Sequence, residues 1–489
     1  MEALVVGAGI GGILGGLALK ELGYEVLLLE ANERLGGCAG TFIRNGFRYN
    51  VGATTLPGFK PGYPMERLLT LFNLIEKVKD LLVPEDPVLE VNLSPERSFF
   101  IFSDPKRTCE ELSRCFPKTN HQKFFSLVEK TTKDILTTPV DYKLNGGKLD
   151  LLSLVKSAFR PQKLKLLPYL FLMKKKALSL LSSFYQSLPN ELLNYFRAQT
   201  LIVAQVELEK ANALAFILSL GYFFTGISYC KTGIGGFLEV LAHELPIKFK
   251  IKVERIEKRV RGYVIRFNGD DLYSNRLLIS FPFLENLSMF SSNKEIIDYF
   301  SMFTRKLSPY SAFVVYGKLK RKAFENFQTK HVLILTRDSN QREKLDIPIS
   351  GYLYLSFLEQ DDKDFVTFTI STHTPLSYWK SLDEERVKQI REDLEKRIVK
   401  TLVLRFALDE RDIVEVFSAT PFTFKHYVGR LSLGGFSASI ENPIWSIPSN
   451  ITPFEGMYLL CDHAFAGQGF MGIALGCQNL RHLLKTLSK

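Results

Sequence analysis

The sequence predicts an α/β protein in which one nucleotide-binding domain is assembled from separate parts of the chain. Two stretches near the ends each combine a buried apolar strand, a glycine-rich turn and the start of a helix. The long region between them alternates helical and strand-like patterns, which favours an inserted α+β domain. With 489 residues, of which 46% are hydrophobic, the chain can form two or three domains.

The amino-terminal stretch begins with a strand, a turn and a helix, followed by a second strand. The turn carries three glycines, Gly7, Gly9 and Gly12. The first permits the tight turn, the second lets the backbone approach a pyrophosphate, and the third lets helix and strand pack closely. N–H groups at the helix start then face the phosphates, and Glu30 can accept hydrogen bonds from ribose hydroxyls. We therefore predict a Rossmann-like dinucleotide site, with strands over 4–6 and 26–29 and a helix over 10–22.

A second glycine run after Glu30 indicates which dinucleotide binds. It comprises Arg34, Gly36, Gly37, Gly40 and Thr41. A nicotinamide site needs no second glycine cluster, whereas here the chain turns tightly again beside the pyrophosphate, with Arg34 available as a counter-charge. The run therefore favours a flavin dinucleotide, FAD. An ordinary turn with a surface arginine is the alternative.

The whole stretch resembles the start of the flavin amine oxidase superfamily, and in particular its phytoene desaturase and carotenoid isomerase family. Amine oxidases usually carry Arg after the double glycine; this chain has Cys38, closer to the small residues of the desaturases and isomerases. Residues 49–54 resemble the next segment that contacts flavin in those enzymes, although Asn50 stands where they usually have Asp. The FAD contacts implied there are Gly52, Ala53 and Thr54.

The carboxyl-terminal stretch, residues 456–476, resembles the closing flavin motif of the same family. The residues thereby implied in FAD binding are Asp462, for the ribityl chain, and Gly469, Phe470 and Met471, at the start of a helix that points at the isoalloxazine. A helix N-terminus there stabilises negative charge on a reduced flavin. The triplet Gly-Gln-Gly at 467–469 is nearest to the isomerase branch, whereas Cys461 replaces the usual glycine. Taken alone, the stretch is also typical of a buried strand, turn and helix without a ligand.

The glycine turn at 231–236 also resembles this family, in which the chain then returns to the flavin domain. Strands follow over 249–253, 263–267 and 277–281 as a predicted meander, and the resemblance implies that the backbone of Val253 faces the adenine. Further helices are predicted over 66–83, 106–137 and 383–406, and strands over 88–102, 311–320, 331–337, 350–357 and 365–371. The predicted domains are an FAD-binding domain, 1–75, 226–290 and 446–489, and an inserted substrate domain with a helical membrane-associating part, 76–225, and a sheet part, 291–445.

Residues 151–190 form a basic, leucine-rich stretch without Asp or Glu. Its basic residues are Lys156, Arg160, Lys163, Lys165, Lys174, Lys175 and Lys176. Such a stretch is typical of a helical lid on an anionic membrane surface, with lysines near the lipid phosphates. A lid with an ordinary solvated basic face is the alternative. The uncharged stretch 211–230 is polar for a lipid-facing helix, so we interpret it as a buried helix lining an apolar cavity and expect peripheral membrane association.

Charge and cysteine use narrow the class of protein further. The net charge of +11 suits nucleic acid or anionic lipid, but no module that reads nucleic acid accompanies it, so we expect no nucleic acid partner. The six cysteines show no C-x-x-C pair and the seven histidines no ligand spacing, which argues against a metal and favours a reducing, cytoplasmic setting. The N-terminus lacks a basic n-region, so we expect no signal peptide.

The resemblance implies an FAD-dependent oxidoreductase that acts on a long apolar polyene from the bilayer, as a carotenoid desaturase or a carotenoid cis-trans isomerase. The Gly-Gln-Gly triplet slightly favours the isomerase. The alternatives are an amine oxidase or a retinol-saturase-like reductase of the same superfamily, or a flavoprotein without enzymatic activity that escorts a partner. No catalytic residue is predicted: His426 lies in a stretch that resembles the surroundings of the carotenoid site, yet it is equally well a core or surface histidine. The electron acceptor and the bond acted on stay open.

Overall fold

Five short parallel strands form the sheet at which the two ends of the chain meet. In spatial order they are Ile247–Lys248, Glu25–Leu29, Glu2–Val6, Leu277–Ile279 and Met457–Leu459. The computed structural model describes residues 2–117, 119–139, 142–145, 148–149, 165–336 and 349–487. Central strands with both faces covered are apolar throughout, and here Val5, Leu28 and Leu278 are completely buried.

The first helix, Ile10–Glu21, lies against this sheet and against the last helix, Gly469–Leu487. Together with Gly233–Ala242 they form one apolar core over the sheet. The strands and the helix predicted at the amino terminus are confirmed, with bounds that differ by at most two residues. Each fully buried Leu or Val in such a core contributes about 1.5–3 kcal/mol relative to an exposed one.

A three-stranded antiparallel sheet corrects the predicted meander. Its strands are Val253–Lys258, Tyr263–Phe267 and Asp270–Ser274. The strand predicted over 277–281 is present over Leu277–Ile279, but its place in the meander is wrong, because it joins the parallel sheet. The strand predicted over 249–253 is wrong, because Ile247–Lys248 pairs in the parallel sheet and the next strand begins only at Val253. The missed strand is polar, and the pair Asn268–Gly269 before it supplies the two positive φ angles of a tight hairpin.

A seven-stranded sheet forms the second layer of the molecule. In spatial order its strands are Ile413–Ala419, Tyr310–Lys320, Phe365–Pro375, Tyr352–Glu359, His331–Leu335, Leu89–Ser94 and Arg97–Ile101. All neighbours are antiparallel except His331–Leu335 and Leu89–Ser94, which are parallel. The strands predicted in these regions are confirmed, apart from residue 337, which lies outside the described residues. The helix Glu384–Phe406, also confirmed, packs on one face of the sheet.

The remaining elements are mostly helices. The α-helices lie at Ile10–Glu21, Pro64–Leu71, Ile75–Val78, Pro105–Cys115, Gln122–Thr137, Leu167–Lys174, Ala177–Leu181, Asn190–Ala204, Ala213–Gly221, Gly233–Ala242, Lys294–Ser301, Arg321–Phe324, Leu376–Lys380, Glu384–Phe406, Pro421–Val428 and Gly469–Leu487. Short strand pairs lie at Thr41–Arg44 with Phe47–Asn50, Leu82–Pro84 with Ser228–Cys230, and Leu144–Asn145 with Lys148–Leu149.

Three of the long helices predicted from the sequence are shorter in the structure. The helix predicted over 66–83 breaks at Asn73, which has a φ of +57°. The helix predicted over 106–137 is split near Pro117, because proline cannot donate the backbone hydrogen bond that a continuous helix needs. The stretch 211–230 is buried as predicted, but only Ala213–Gly221 is an α-helix. Gly226 has a positive φ angle, and the strand Ser228–Cys230 begins two residues later.

Candidate active site

The carboxyl ends of the parallel strands bring the predicted motifs to one edge of the sheet. Gly7 follows the first strand, Glu30 the second, and Ser280 and Cys461 lie after the two strands beyond them. Backbone hydrogen bonds join neighbouring ends: Gly7 N donates to Leu29 O at 2.8 Å, and Ser280 N donates to Val6 O at 2.9 Å. Ligands of open α/β sheets bind at this edge.

The two glycine runs and residues 50–54 lie in contact there. Gly9 pairs with Gly36 as an isolated bridge, and Gly36 N donates to Ala8 O at 2.8 Å. Further along, Val51 N donates to Gly40 O at 2.9 Å, and Ala53 N donates to Cys38 O at 3.1 Å. The structure thus joins three segments that the sequence predicted for one site.

The first helix approaches the backbone of its neighbours so closely that only glycine fits. A Cβ at Gly12 would lie 1.9 Å from Gly7 O, and one at Gly11 would lie 2.0 Å from Leu460 O. At Gly9, by contrast, the nearest atom to such a Cβ is Gly36 O at 4.0 Å, so this position is open. No side chain caps the helix at Gly9, and its first N–H groups are available to a ligand.

Glu30 is a buried carboxylate held in a fixed orientation, with 7% of its surface exposed. Oε2 accepts from Ala8 N at 2.8 Å, and Oε1 accepts from Asn32 N at 2.9 Å and from Asn32 Nδ2 at 3.0 Å. Each carboxylate oxygen has two acceptor positions, so Oε2 keeps one for a ligand hydroxyl. Ile251 N donates to Glu30 O at 2.9 Å, which brings the chain that leads into Val253 next to this residue.

Thr41 and Asn50 are used to cap the helix Gly233–Ala242. Thr41 Oγ1 donates to Asn50 Oδ1 at 2.8 Å and accepts from Gly235 N at 2.8 Å. Asn50 Oδ1 also accepts from Ile234 N at 3.0 Å. The amide that departs from the family pattern at position 50 therefore has a structural partner, and a side-chain oxygen is what this helix start requires.

Asp462 and Arg430 form a buried ion pair at the start of the carboxyl-terminal motif. Burial opposes the charged form of Asp462, but the Arg430 guanidinium holds the pKa of this carboxyl below its usual value. Burial raises the pKa of the neighbouring Cys38 thiol, although Arg430 lies against it. Burial also raises the pKa of Cys461, so both thiols are neutral fillers of space at pH 7.

The remaining predicted residues differ in exposure. Arg34 is exposed, and Gly469 is exposed with a φ of +70°. Phe470 is buried in the core and contacts Phe237 edge to face, with ring centroids 6.4 Å apart. Met471 packs against Gly58. Thr54 Oγ1 accepts a hydrogen bond from Ser356 Oγ at 3.0 Å.

One face of the seven-stranded sheet covers this edge of the parallel sheet. It carries a series of hydrogen-bonded polar side chains that the sequence did not reveal. Tyr352 donates to His373 Nδ1, and His373 Nε2 lies 2.8 Å from Gln205 Oε1. Because Gln205 Nε2 donates to Ile202 O at 3.1 Å, the oxygen is the atom that faces the histidine. Burial lowers the pKa of His373 to about 4, so the imidazole is neutral at pH 7.

The next residue on this face is Tyr354, which is partly buried and makes no hydrogen bond through its hydroxyl within the described part of the chain. It pairs across the sheet with Ser371. Tyr316, on the same sheet, donates to Val51 O at 2.5 Å. The period-two pattern of residues 352–356 could have placed these side chains on one face, but the sequence gives no sign of what that face covers.

The donors and acceptors at this edge fit FAD. The uncapped helix offers N–H groups to a diphosphate, and Glu30 offers an acceptor to ribose hydroxyls. Arg430 Nη2 is buried and has no hydrogen-bond partner within the described residues. A buried donor without an acceptor costs about 1–3 kcal/mol, a cost that an oxygen-rich ligand would remove.

Two features are absent from the described residues. No group of three or more His, Cys, Asp or Glu side chains is arranged to hold a metal ion. Among the helices between residues 2 and 487 that the structure describes, none has both the length and the apolar character required to cross a membrane.

The chain is similar to several known proteins. A family model described as an NAD(P)-binding Rossmann-like domain matches residues 5–72. Prolycopene isomerase of Daucus carota is 22% identical over 97% of this chain and 78% of its own length. The 4,4'-diapolycopen-4-al dehydrogenase of Metabacillus indicus is 25% identical over 58% of this chain and 56% of its own. All-trans-retinol 13,14-reductase of Danio rerio is 34% identical over 24% of this chain and 19% of its own.

Solved structures share the fold along the whole chain. An oxidoreductase from Methanosarcina mazei has a TM-score of 0.59 at 17% identity, and putrescine oxidase bound to putrescine has a TM-score of 0.61 at 12% identity; each match covers 100% of both chains. The α/β Rossmann-like fold is therefore one that amine oxidases share. The predicted resemblance to carotenoid isomerases and desaturases is confirmed, as are the predictions of an oxidoreductase and of FAD as its cofactor.

Proposed function

We propose that this protein acts on a long apolar polyene, as a carotenoid cis-trans isomerase or a carotenoid desaturase. The observation that carries the proposal is the similarity to prolycopene isomerase along 97% of the chain, because it extends through the seven-stranded sheet as well as the nucleotide motifs. The Gly-Gln-Gly triplet favours the isomerase, and the similarity to 4,4'-diapolycopen-4-al dehydrogenase keeps a redox reaction open.

In this proposal the motifs hold FAD across the edge of the parallel sheet. The diphosphate lies at the helix start, where Gly7, Gly9 and Gly12 leave room for it, and Arg34 is the counter-charge of the diphosphate. Glu30 binds the ribose. The other cofactor residues are Gly36, Gly37, Gly40, Thr41, Gly52, Ala53, Thr54, the backbone of Val253, Asp462, Gly469, Phe470 and Met471. When bound, FAD supplies a group that accepts or returns a hydride.

The seven-stranded sheet would cover the reactive end of the cofactor and exclude water. Its face beside Val51 and Thr54 carries Tyr316 and Tyr354. The neutral His373 and its hydrogen-bonded partners add no charge to this face at pH 7. The tyrosine rings of this face offer apolar surface to a hydrocarbon substrate. We assign residues 76–225 and 291–445 to this substrate domain.

The reaction type can be tested with the purified flavoprotein and two kinds of polyene, one poly-cis and one with saturated bonds. Flavin bands that bleach without oxygen on addition of the second would support desaturation. Cis-to-trans conversion that requires prereduced protein would support isomerisation. Oxidation of an amine without conversion of either polyene would contradict the proposal in favour of amine oxidase chemistry.

The helix Leu167–Lys174 supports a peripheral location on an anionic membrane facing the cytoplasm. Phe171 is 78% exposed, and Leu167 and Leu170 are each 44% exposed. Lys165, Lys174 and Lys176 are exposed beside them, whereas Lys156, Arg160 and Lys163 lie outside the described residues. Exposed apolar side chains next to lysines are the surface that anionic lipid binds.

Vesicle sedimentation tests this location. A variant with Phe171→Ser and Lys174→Glu should lose most of its binding to vesicles of phosphatidylcholine with anionic phosphatidylserine. Val260→Ser is the matched control, because Val260 is fully exposed on a hairpin far from this helix in the sequence. Equal sedimentation of the double variant and the unmodified protein would contradict the membrane assignment.

A further inference from the structure

Arg430 is a buried arginine whose guanidinium is only partly used. It is 6% exposed. Nε donates to Ser432 O at 2.6 Å, and Nη1 donates to Asp462 Oδ2. Nη2 makes no hydrogen bond within the described part of the chain and is inaccessible to solvent. Its two N–H groups therefore make no hydrogen bond to the described protein, and the side chain beside the guanidinium is the thiol of Cys38, which is only a weak acceptor.

The carboxylates nearby are already engaged. Asp462 balances the charge of Arg430 through Nη1, which leaves Nη2 out of the pair. Glu285, the next nearest acid, accepts from Leu431 N at 2.7 Å and from Ser432 Oγ at 2.7 Å. Neither carboxylate accepts a hydrogen bond from Nη2, so a bound ligand is where its acceptor would come from.

The position of Arg430 indicates which part of the ligand this is. Its guanidinium lies against Cys38, from the second glycine run, and beside Asp462, from the last motif. Tyr316, from the seven-stranded sheet, lies near Cys38 and donates to Val51 O. Arg430 thus lies where the nucleotide motifs meet the sheet proposed to cover the substrate. The diphosphate is placed elsewhere, at the open helix start beside Gly9.

We infer that Arg430 Nη2 binds the oxygen- and nitrogen-bearing edge of the isoalloxazine ring and favours the reduced cofactor. Two electrons and one proton convert the oxidised ring to its reduced anion, and the added negative charge lies on that edge. A fixed guanidinium in a buried site stabilises the anion more than the neutral ring. The inference rests on the proposed FAD site and deepens it, because it assigns to a residue outside the glycine motifs the control of the cofactor's reduction potential.

The test compares Arg430→Lys and Arg430→Gln with a matched control, Arg481→Lys. Arg481 also forms an ion pair, with Glu21 at 2.7 Å, but it lies on the last helix away from the motifs. Fluorescence titration should give FAD dissociation constants about ten- to a hundredfold higher for the Arg430 variants, as expected for a lost hydrogen bond to a charged group. Dithionite titration with a reference dye should give lower midpoint potentials, by about 30 mV for each tenfold preference for the reduced form. The Arg481→Lys protein should match the unmodified one in both.

Every outcome bears on the inference. Unchanged potentials with weakened FAD binding would place Arg430 at the diphosphate and overturn the assignment to the ring. Unchanged binding and potentials would overturn it altogether. If neither variant folds, the midpoint potential of FAD bound to the unmodified protein is the test. The inference requires this potential to be higher than that of free FAD, and an equal or lower potential would overturn it. If the unmodified protein binds no FAD, the proposed function fails, which is a different result.

Discussion

The Glu30 carboxylate is oriented before any ligand arrives. Three N–H donors from Ala8 and Asn32 fix both oxygens at the carboxyl end of the second strand. A preorganised acceptor loses little freedom when a ribose hydroxyl binds, and this is how a short motif achieves affinity. Because these donors require an oxygen acceptor at both positions, we expect replacement of the acid by its amide to weaken the site.

Replacement Glu30→Gln should weaken FAD binding about tenfold, because the amide nitrogen faces donors where an oxygen accepted before. Fluorescence titration of the flavin measures the dissociation constant. Glu33→Gln is the control, since Glu33 is an exposed acid of the same turn that pairs with Lys250 at 2.7 Å. Equal affinity of the Glu30→Gln and unmodified proteins would contradict the role of Glu30.

His463 makes the protein sensitive to acid. Its Nδ1 accepts from Leu284 N at 3.3 Å, so protonation of that nitrogen breaks a buried hydrogen bond. Burial lowers the pKa of His463 to about 4, whereas an unfolded histidine titrates near about 6.5. Between these values the unfolded chain binds more protons, so stability is complete above about pH 6.5 and falls as the pH drops towards 4, by about 2 kcal/mol at pH 5.

The variant His463→Asn should show a flatter dependence of melting temperature on pH between 7 and 4.5, because its amide oxygen can accept from Leu284 N without titrating. Burial also lowers the pKa of His373 to about 4. This histidine is present in both proteins, so its contribution to the pH dependence of the melting temperature is the same in both. Parallel melting curves for the two proteins over this range would show that His463 does not control the acid sensitivity.

At the scale of elements, the start of the helix Gly233–Ala242 ties the second glycine run to the returning chain. Thr41 and Asn50 supply the oxygens that accept its first N–H groups. A lost helix cap costs about 0.5–2 kcal/mol, so in a chain of 489 residues Asn50→Ala should lower the melting temperature by about 0.5–2 °C. Asn50→Asp keeps the acceptor and should melt close to the unmodified protein. Calorimetry checks both, and an Asn50→Ala protein that melts unchanged would rule out the cap.

The difference between predicted and observed elements has a physical basis. Strand, turn and helix of the first motif follow from neighbouring residues, since the glycines and the apolar runs act locally. The polar strand Asp270–Ser274 escaped prediction because its pairing with Tyr263–Phe267, and not its own hydrophobicity, holds it in place. Likewise, the spacing of 277–281 could not reveal that Leu277–Ile279 inserts beside the first strand.

Some residues of the candidate site could be predicted from the sequence, and others are brought together only by the fold. The glycines, Glu30 and Asp462 belong to short motifs with recognisable spacing. Tyr352, His373 and Gln205 come from two strands and a helix end, and only the folded sheet brings them together. Arg430 lies four residues after His426, and its pairing with Asp462 is visible only in the folded structure.

At the scale of the whole molecule, FAD would join the two ends of the chain, because its proposed site takes residues from both. A ligand that binds only the folded state stabilises it by about 2.7 kcal/mol at a hundred times its dissociation constant. Adding FAD to the apoprotein should therefore raise its melting temperature progressively with ligand concentration. Adenosine diphosphate is the control that occupies only one end, and it should raise the melting temperature less.

The most direct test of the account is the amount of FAD that the purified protein retains. After incubation with excess FAD and removal of the free cofactor, absorption spectra should show flavin bands corresponding to about one FAD per chain, because we propose a single site between the two motifs. A protein that remains folded but colourless after this treatment would contradict the cofactor site and the function built on it.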